Sequence, residues 1–272
     1  MLKREIDSRL REWKADKNHK ALLLTGARQI GKTYSVRKFA EQEYENFVEI
    51  NFIENESAQD IFSDVSNVDM IITNLTAYTG RKLEPGKTLI FLDEIQECPK
   101  ARTAIKFLVD DGRFDYIESG SLLGVRYKEV KSYPVGYETI LQMYPMNFRE
   151  FLYANGVQES TLEYLEEAYK KVTPVSESVH RTMKQLFQYY VIVGGMPDVV
   201  QRFVDTHDIG QVVETQKSIL ELYRQDISKY APNDKAKIKE IFDRIPSELN
   251  DKNKRFVLAD ISKSARMERY EN

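Results

Sequence analysis

The sequence predicts an α/β fold, a three-layer domain built on a mostly parallel sheet and followed by a mainly helical region. Three observations lead there. Near-continuous apolar runs at 21–25, 47–52 and 88–92 read as strands covered on both faces. Helical patterns lie between them, over 32–42, 68–78 and 99–109, at the spacing of strand-helix-strand units. Beyond Asn155-Gly156 the alternation stops and helical periodicity takes over.

The elements follow in order. Leu2, Ile6, Leu10 and Trp13 recur at helical spacing with charged residues between them, which gives a short amphipathic helix ahead of the first strand. Its apolar stripe is short and its polar face carries both signs, so it reads as a packing helix rather than a membrane-surface one. Pro99 sits in the first turn of its helix, where a missing N–H costs nothing. Phe114 to Glu118 is a further strand, running into Ser119-Gly120-Ser121, and a final strand is expected around Tyr137 to Met143. Helices then read over 162–171, 177–193 and 209–230, with Pro197 breaking the middle of this region. Two short helical patterns follow at 235–244 and 256–267, separated by Pro246 and by Asn250-Asp251-Lys252-Asn253. The expected domains are 1–155, 156–232 and 233–272.

Composition narrows the function classes. Forty basic residues against 43 acidic give a formal charge of -3, so no global field recruits nucleic acid or anionic lipid. The lone Cys98 cannot form an internal disulfide, and His19, His180 and His207 are isolated from one another, so no structural metal is expected. There is no signal-peptide core at the start and no apolar run of membrane-spanning length; the expectation is a cytoplasmic protein without a membrane partner.

The chemistry concentrates in three strand ends. Gly26-Ala27-Arg28-Gln29-Ile30-Gly31-Lys32-Thr33, followed by Tyr34, fits the phosphate-loop pattern of a glycine, four residues, then glycine-lysine-threonine. The spacing turns successive backbone N–H groups inward around a phosphate, and the helix that begins after Gly31 adds its own unpaired N–H groups. In that reading Lys32 reaches the β- and γ-phosphates and Thr33 binds Mg2+ through its hydroxyl. Asp93 and Glu94 end the strand at 88–92, in the crevice where ligands of parallel sheets collect. Asp93 would orient Mg2+ through its water shell, and Glu94 would accept a proton from the attacking water. Ser119 or Ser121, at the end of the next strand, could hydrogen-bond that water or the γ-phosphate. Arg28 faces a phosphate, a carboxylate or solvent, and Arg126, Arg149 and Arg224 are candidates for a charge supplied to a neighbouring site.

Taken together, GARQIGKT, TLIFLDEIQ, YIESGSLLG, YPMNFREFL, VIVGGMPDVV and ELYRQDISKY resemble the prokaryotic AAA+-like ATPases that carry a phosphate-loop domain, then helices and a winged-helix region. That resemblance implies a P-loop NTPase domain and a partial winged-helix-like segment from 233 onward, with the family's usual nuclease-like tail absent here. It also implies ATP and Mg2+ as cofactors and adenine as the base. Lys32 and Thr33 match the nucleotide-binding pair, Asp93 and Glu94 the Mg2+ and water-activating pair, and Ser119 or Ser121 the sensing position. The loop after Gly120-Ser121 is shortened relative to that pattern, which leaves the two serines as alternatives. The activity expected is Mg-dependent ATP hydrolysis coupled to movement of a partner or a further domain. The partners expected are ATP, further copies of the chain, and a DNA or protein client. A nucleotide-dependent DNA-binding module and a catalytically silent nucleotide-binding scaffold are the alternatives; a basic stripe of Lys252, Lys254, Arg255, Lys263 and Arg266 on one face would favour the first.

Overall fold

The computed structural model describes residues 2–121, 134, 136–230 and 235–250. The chain divides into two compact units, Met1–Val212 and Val213–Asn272. The first is built on a five-stranded sheet of β1 (Ala21–Gly26), β2 (Asn46–Asn51), β3 (Thr88–Asp93), β4 (Asp115–Ser121) and β5 (Glu138–Gln142), in the order β2-β3-β4-β1-β5. Every pairing is parallel. This is the three-layer α/β arrangement of a P-loop NTPase, with a helical region following it.

Side-chain alternation along the strands explains the three layers. Leu22, Leu24, Leu89, Phe91 and Ile117 point to one face, where α1 (Ile6–Ala15) and α2 (Lys32–Glu43) cover them with Ile6, Leu10, Trp13, Val36 and Phe39. Leu23, Val48, Ile50, Ile90, Leu92 and Tyr116 point to the other. There they meet α3 (Val68–Thr79) and α4 (Pro99–Asp111), through Ile71, Leu75, Ala104, Ile105 and Leu108. All six residues of β1 and of β3 are buried, which is why both read as unbroken apolar runs. Each fully buried leucine among them stabilises the fold by about 1.5–3 kcal/mol.

Local signals set the helix ends. The Asn67 side chain accepts from Met70 N–H at the start of α3, Pro99 opens α4, and left-handed Gly80 and Gly112 close the two helices. The region 56–62 between β2 and α3 forms a 3-10 helix that periodicity alone does not predict. Helix α5 (Phe148–Ala154) carries a full capping box: Asn147 accepts from Glu150 N–H at 2.9 Å, and Glu150 accepts from Asn147 N–H at 2.9 Å.

Helices α6 (Glu159–Lys171), α7 (Glu177–Val193) and α8 (Pro197–Thr206) complete the first unit with the opening of α9 (Ile209–Tyr230). Phe151 stacks on Phe203 with ring centroids 5.9 Å apart, and Tyr190 packs on both Phe148 and Phe151 at 5.4 Å. Tyr190 Oη donates to Met146 O at 2.9 Å, and Met146 N–H donates to Gly195 O at 2.6 Å. A Cβ on Gly195 would lie 2.2 Å from Met146 O, so only glycine permits this crossing of two backbones.

In the second unit, the remainder of α9 and α10 (Lys235–Asn250) are joined by Arg224, whose Nε and Nη2 each donate to Asp243 at 3.2 Å. Here the structure corrects the sequence reading. Pro246 does not end the helix but lies inside α10, which continues to Asn250. Helices do tolerate a proline when the carbonyl it leaves unbonded finds another partner or faces solvent. The expected pattern at 256–267 and the proposed basic stripe fall outside the described residues, as does most of the winged-helix-like segment. Among the described residues no helix is long and apolar enough to cross a membrane.

Candidate functional site

The carboxyl ends of β1, β3 and β4 converge, with β4 lying between the other two. Strand β1 delivers Gly26 into the loop at φ 152°, where a Cβ would meet Met143 O at 2.4 Å. The turn then passes Gln29 at φ 63° and Gly31 at φ 90°, left-handed values that let the chain curl before α2 begins. Ser35 N–H donates to Gly31 O at 2.9 Å, the first helical bond. The amides of the opening turn therefore have no acceptor within the helix and point from its positive end.

Lys32 is the first residue of α2 and is buried. Its Nζ donates to Gly26 O at 3.0 Å and Ala27 O at 2.8 Å, so the ammonium closes the loop onto itself. Burial lowers its pKa and the positive charge of Arg28 adds to that, while the nearby Glu94 and Asp93 carboxylates act in the opposite sense. Ala27 and the buried Ile30 line the turn; Tyr34 is half exposed on α2.

Thr33, one residue further, donates from Oγ1 to Asp93 Oδ2 at 3.0 Å, across a separation of 60 residues. Asp93 is buried and collects three further donors: the Ser119 hydroxyl, the Glu94 backbone N–H at 3.2 Å and Asn51 Nδ2 at 3.4 Å. Burial raises the Asp93 pKa; the Ser119 and Thr33 hydroxyls pull it down by bonding the charged form. Glu94 leaves the strand in the left-handed region, φ 55° and ψ 47°, and Gln96 Nε2 donates to its carboxylate. A non-glycine residue held there is a mild local strain.

Of the residues named from sequence, Gly26 to Thr33, Asp93, Glu94 and Ser119 are thus brought together. Ser119 touches Asp93 directly. Ser121 ends β4 with its backbone in register with Gly26. Arg126 lies outside the described residues. Arg149 is held by Glu159 at 2.7 Å and Glu166 at 2.9 Å, and Arg224 by Glu221 and Asp243. Four contributors were missed. Asn51 was not legible: that it ends its strand and pairs in register with Asp93 is shown only by the fold. Glu150 was legible as the fourth member of an Asn-x-x-Glu capping pattern. Gln96 lay within a quoted motif without a role. Arg4, whose guanidinium donates to Ile30 O at 2.9 Å, left no signal in the sequence.

No group of three or more His, Cys, Asp or Glu side chains among the described residues could hold a metal. One carboxylate and one hydroxyl, Asp93 and Thr33, suit Mg2+, which keeps waters and phosphate oxygens as most of its ligands. Lys32, the first-turn amides and these two oxygens together fit a magnesium-bound polyphosphate.

Residues 18–152 match the family model described as an AAA domain. The AAA-domain segment spans β1 to β5 and most of α5, and it contains every residue of the constellation just described except Arg4. Residues 184–272 match a second model, a domain of unknown function designated DUF8612. No curated protein matches the sequence. Among solved structures, an Aeropyrum pernix ORC1 protein in complex with DNA is 16% identical, with 71% of this chain and 67% of that chain covered and a TM-score of 0.38. A Thermotoga maritima RuvB variant is 16% identical over 79% of this chain and 70% of that chain, TM-score 0.40. Drosophila ORC bound to DNA is 14% identical over 89% and 65%, TM-score 0.41. With TM-scores this low, these likenesses carry no functional statement.

Proposed function

We propose that the chain binds Mg-ATP at the Gly26–Thr33 loop and hydrolyses it. The observation that supports this best is the Thr33–Asp93 bond at 3.0 Å, which sets the loop hydroxyl against the acid of a strand two places away in the sheet. Mg2+, when bound, would neutralise charge developing on the transferred phosphoryl group. Lys32 and the amides of Gly31, Lys32 and Thr33 hold the phosphates. Asp93 and Thr33 hold the metal, directly or through water. Glu94, at the rim of the same strand end, takes the proton of the attacking water, and Gln96 fixes its carboxylate. Ser119 ties Asp93 to β4, so that metal occupancy and the position of β4 are linked. Adenine is assigned from the resemblance to AAA+-like ATPases, since no loop residue reads a base. Turnover is proposed to drive movement in a partner or a further domain, the partner being another copy of the chain or a DNA or protein client.

The deciding experiment is phosphate release from Mg-ATP by the full chain beside its Glu94→Gln form, with and without duplex DNA. The expected result is turnover in the parent and a loss of about 10²-fold or more in the variant, the usual share of a general base, with Mg-ATP binding retained. Equal turnover in the two proteins would remove Glu94 from the mechanism. Tight binding without turnover in either would leave a nucleotide switch. Stimulation by duplex DNA would identify the client class.

A further inference from the structure

Arg4 precedes α1 and is almost fully buried, at 8% exposure. Three of its nitrogens are committed. Nε donates to Glu150 Oε1 at 2.9 Å, Nη1 to Ile30 O at 2.9 Å, and Nη2 to Tyr144 O at 2.8 Å. Glu150 is itself buried at 4% exposure, and its position is over-determined: Oε1 also accepts from Glu5 N–H at 2.7 Å, and Oε2 caps α5 through Asn147 N–H at 2.9 Å. A planar guanidinium locked on one side by a fixed carboxylate presents its remaining donors in fixed directions.

The peptide joining Ile30 to Gly31 is planar, so its carbonyl and its N–H point in opposite directions. Anchoring Ile30 O toward Arg4 therefore aims the Gly31 N–H away from Arg4. Gly31 sits at φ 90°, a residue with no side chain to resist rotation of that plane, so an external anchor is needed to fix it. The Cβ position of Gly31 lies 3.7 Å from Arg4 Nη1, 3.9 Å from Met143 Cε and 4.0 Å from Pro197 Cγ, so the anchor works inside a closed wall.

We propose that Arg4, clamped by Glu150, is a positioning residue for the phosphate loop: it fixes the Ile30-Gly31 peptide so that the Gly31 amide is preset toward a bound phosphate. The inference rests on the nucleotide-binding reading above and assigns that site a control outside its motif. It also connects loop geometry to Tyr144 and Glu150, so displacement of that turn would alter phosphate affinity without touching the loop itself.

The test is calorimetry of the full chain with Mg-ADP and, separately, with inorganic pyrophosphate, on the parent, Arg4→Met, Arg4→Lys and Lys32→Ala. Arg4→Lys keeps a charge opposite Glu150 but cannot hold three acceptors in a planar fork. Both Arg4 variants are expected to bind about tenfold or more weakly to both ligands, the effect of one charge-assisted hydrogen bond. The Gly31 backbone N–H resonance should move in ligand-free Arg4→Lys while far-UV dichroism is unchanged. If Arg4→Met does not fold, Arg4→Lys decides. Parent-like affinity in Arg4→Lys, even with a lowered melting temperature, would reduce Arg4 to a stabilising contact and overturn the proposal. If the parent fails to bind, or Lys32→Ala binds as well as the parent, the nucleotide reading itself fails and this proposal falls with it.

Discussion

Lys32 and Gly26 carry opposite kinds of constraint. Lys32 is a buried cation bonded to two carbonyls of its own loop, so its removal takes away charge more than packing. Lys32→Ala is expected to abolish measurable Mg-ATP binding by calorimetry and to leave a cooperative melt; unchanged affinity would remove the phosphate-loop assignment. Gly26 is a packing constraint. A methyl there meets Met143 O at 2.4 Å and Ile30 Cδ1 at 2.5 Å at a φ that disfavours side chains. Gly26→Ala should cost about 1–3 kcal/mol in denaturant titrations; parent-like stability would mean that the β5 exit yields freely. At this scale the sequence was informative where partners are close in the chain or where a motif names both ends, as with Thr33 and Asp93. It was silent on Arg4, whose tie to Glu150 spans 146 residues and has no local pattern.

Strand β4 carries a second buried cluster, apart from the loop. Arg102 of α4 donates to Glu118 at 2.9 Å and to Glu138 at 2.7 Å, with Glu118 wholly buried. One arginine faces two carboxylates. Burial, with Glu138 adding to it against the pull of Arg102, pushes the Glu118 pKa from 4.5 up to about 8. The folded chain then holds a proton that the unfolded chain releases, so the stability from this group is full below pH 4.5 and is lost as pH rises to about 8. Melting temperature should fall across that window, and Glu118→Gln should flatten this part of the profile; an unchanged slope would place the proton elsewhere. Arg102→Met, which takes a hydrogen-bond donor from both acids, is expected to cost about 1–3 kcal/mol by denaturant titration. Strands β1 to β4 and helices α3, α4, α7 and α9 were legible because their periodicity is strong and their ends carry proline, glycine or asparagine. Helix α5 is announced only by the Asn-x-x-Glu pattern at its start, being too short for its periodicity to show, and α10 ran through Pro246 against the usual rule.

For the whole molecule, the question is what completes the site. Arg149 and Arg224 are both engaged with acids of their own chain, so a charge supplied between copies would have to break those pairs or come from elsewhere. Specific activity that rises with protein concentration would show that copies complete one another; a flat dependence would make the site self-contained. The crossing of Met146 and Gly195 bears on a different matter. The AAA-domain match stops at residue 152, yet Met146 is bonded to Gly195, Phe151 lies under Phe203, and Pro197 walls the base of the phosphate loop. The stretch that matches the AAA-domain model and the compact unit that packs around it, Met1–Val212, are therefore different stretches of this polypeptide. A graft of the matched stretch alone would carry the loop into its new host with Arg4 and Pro197, two of the three groups packed around Gly31, left behind.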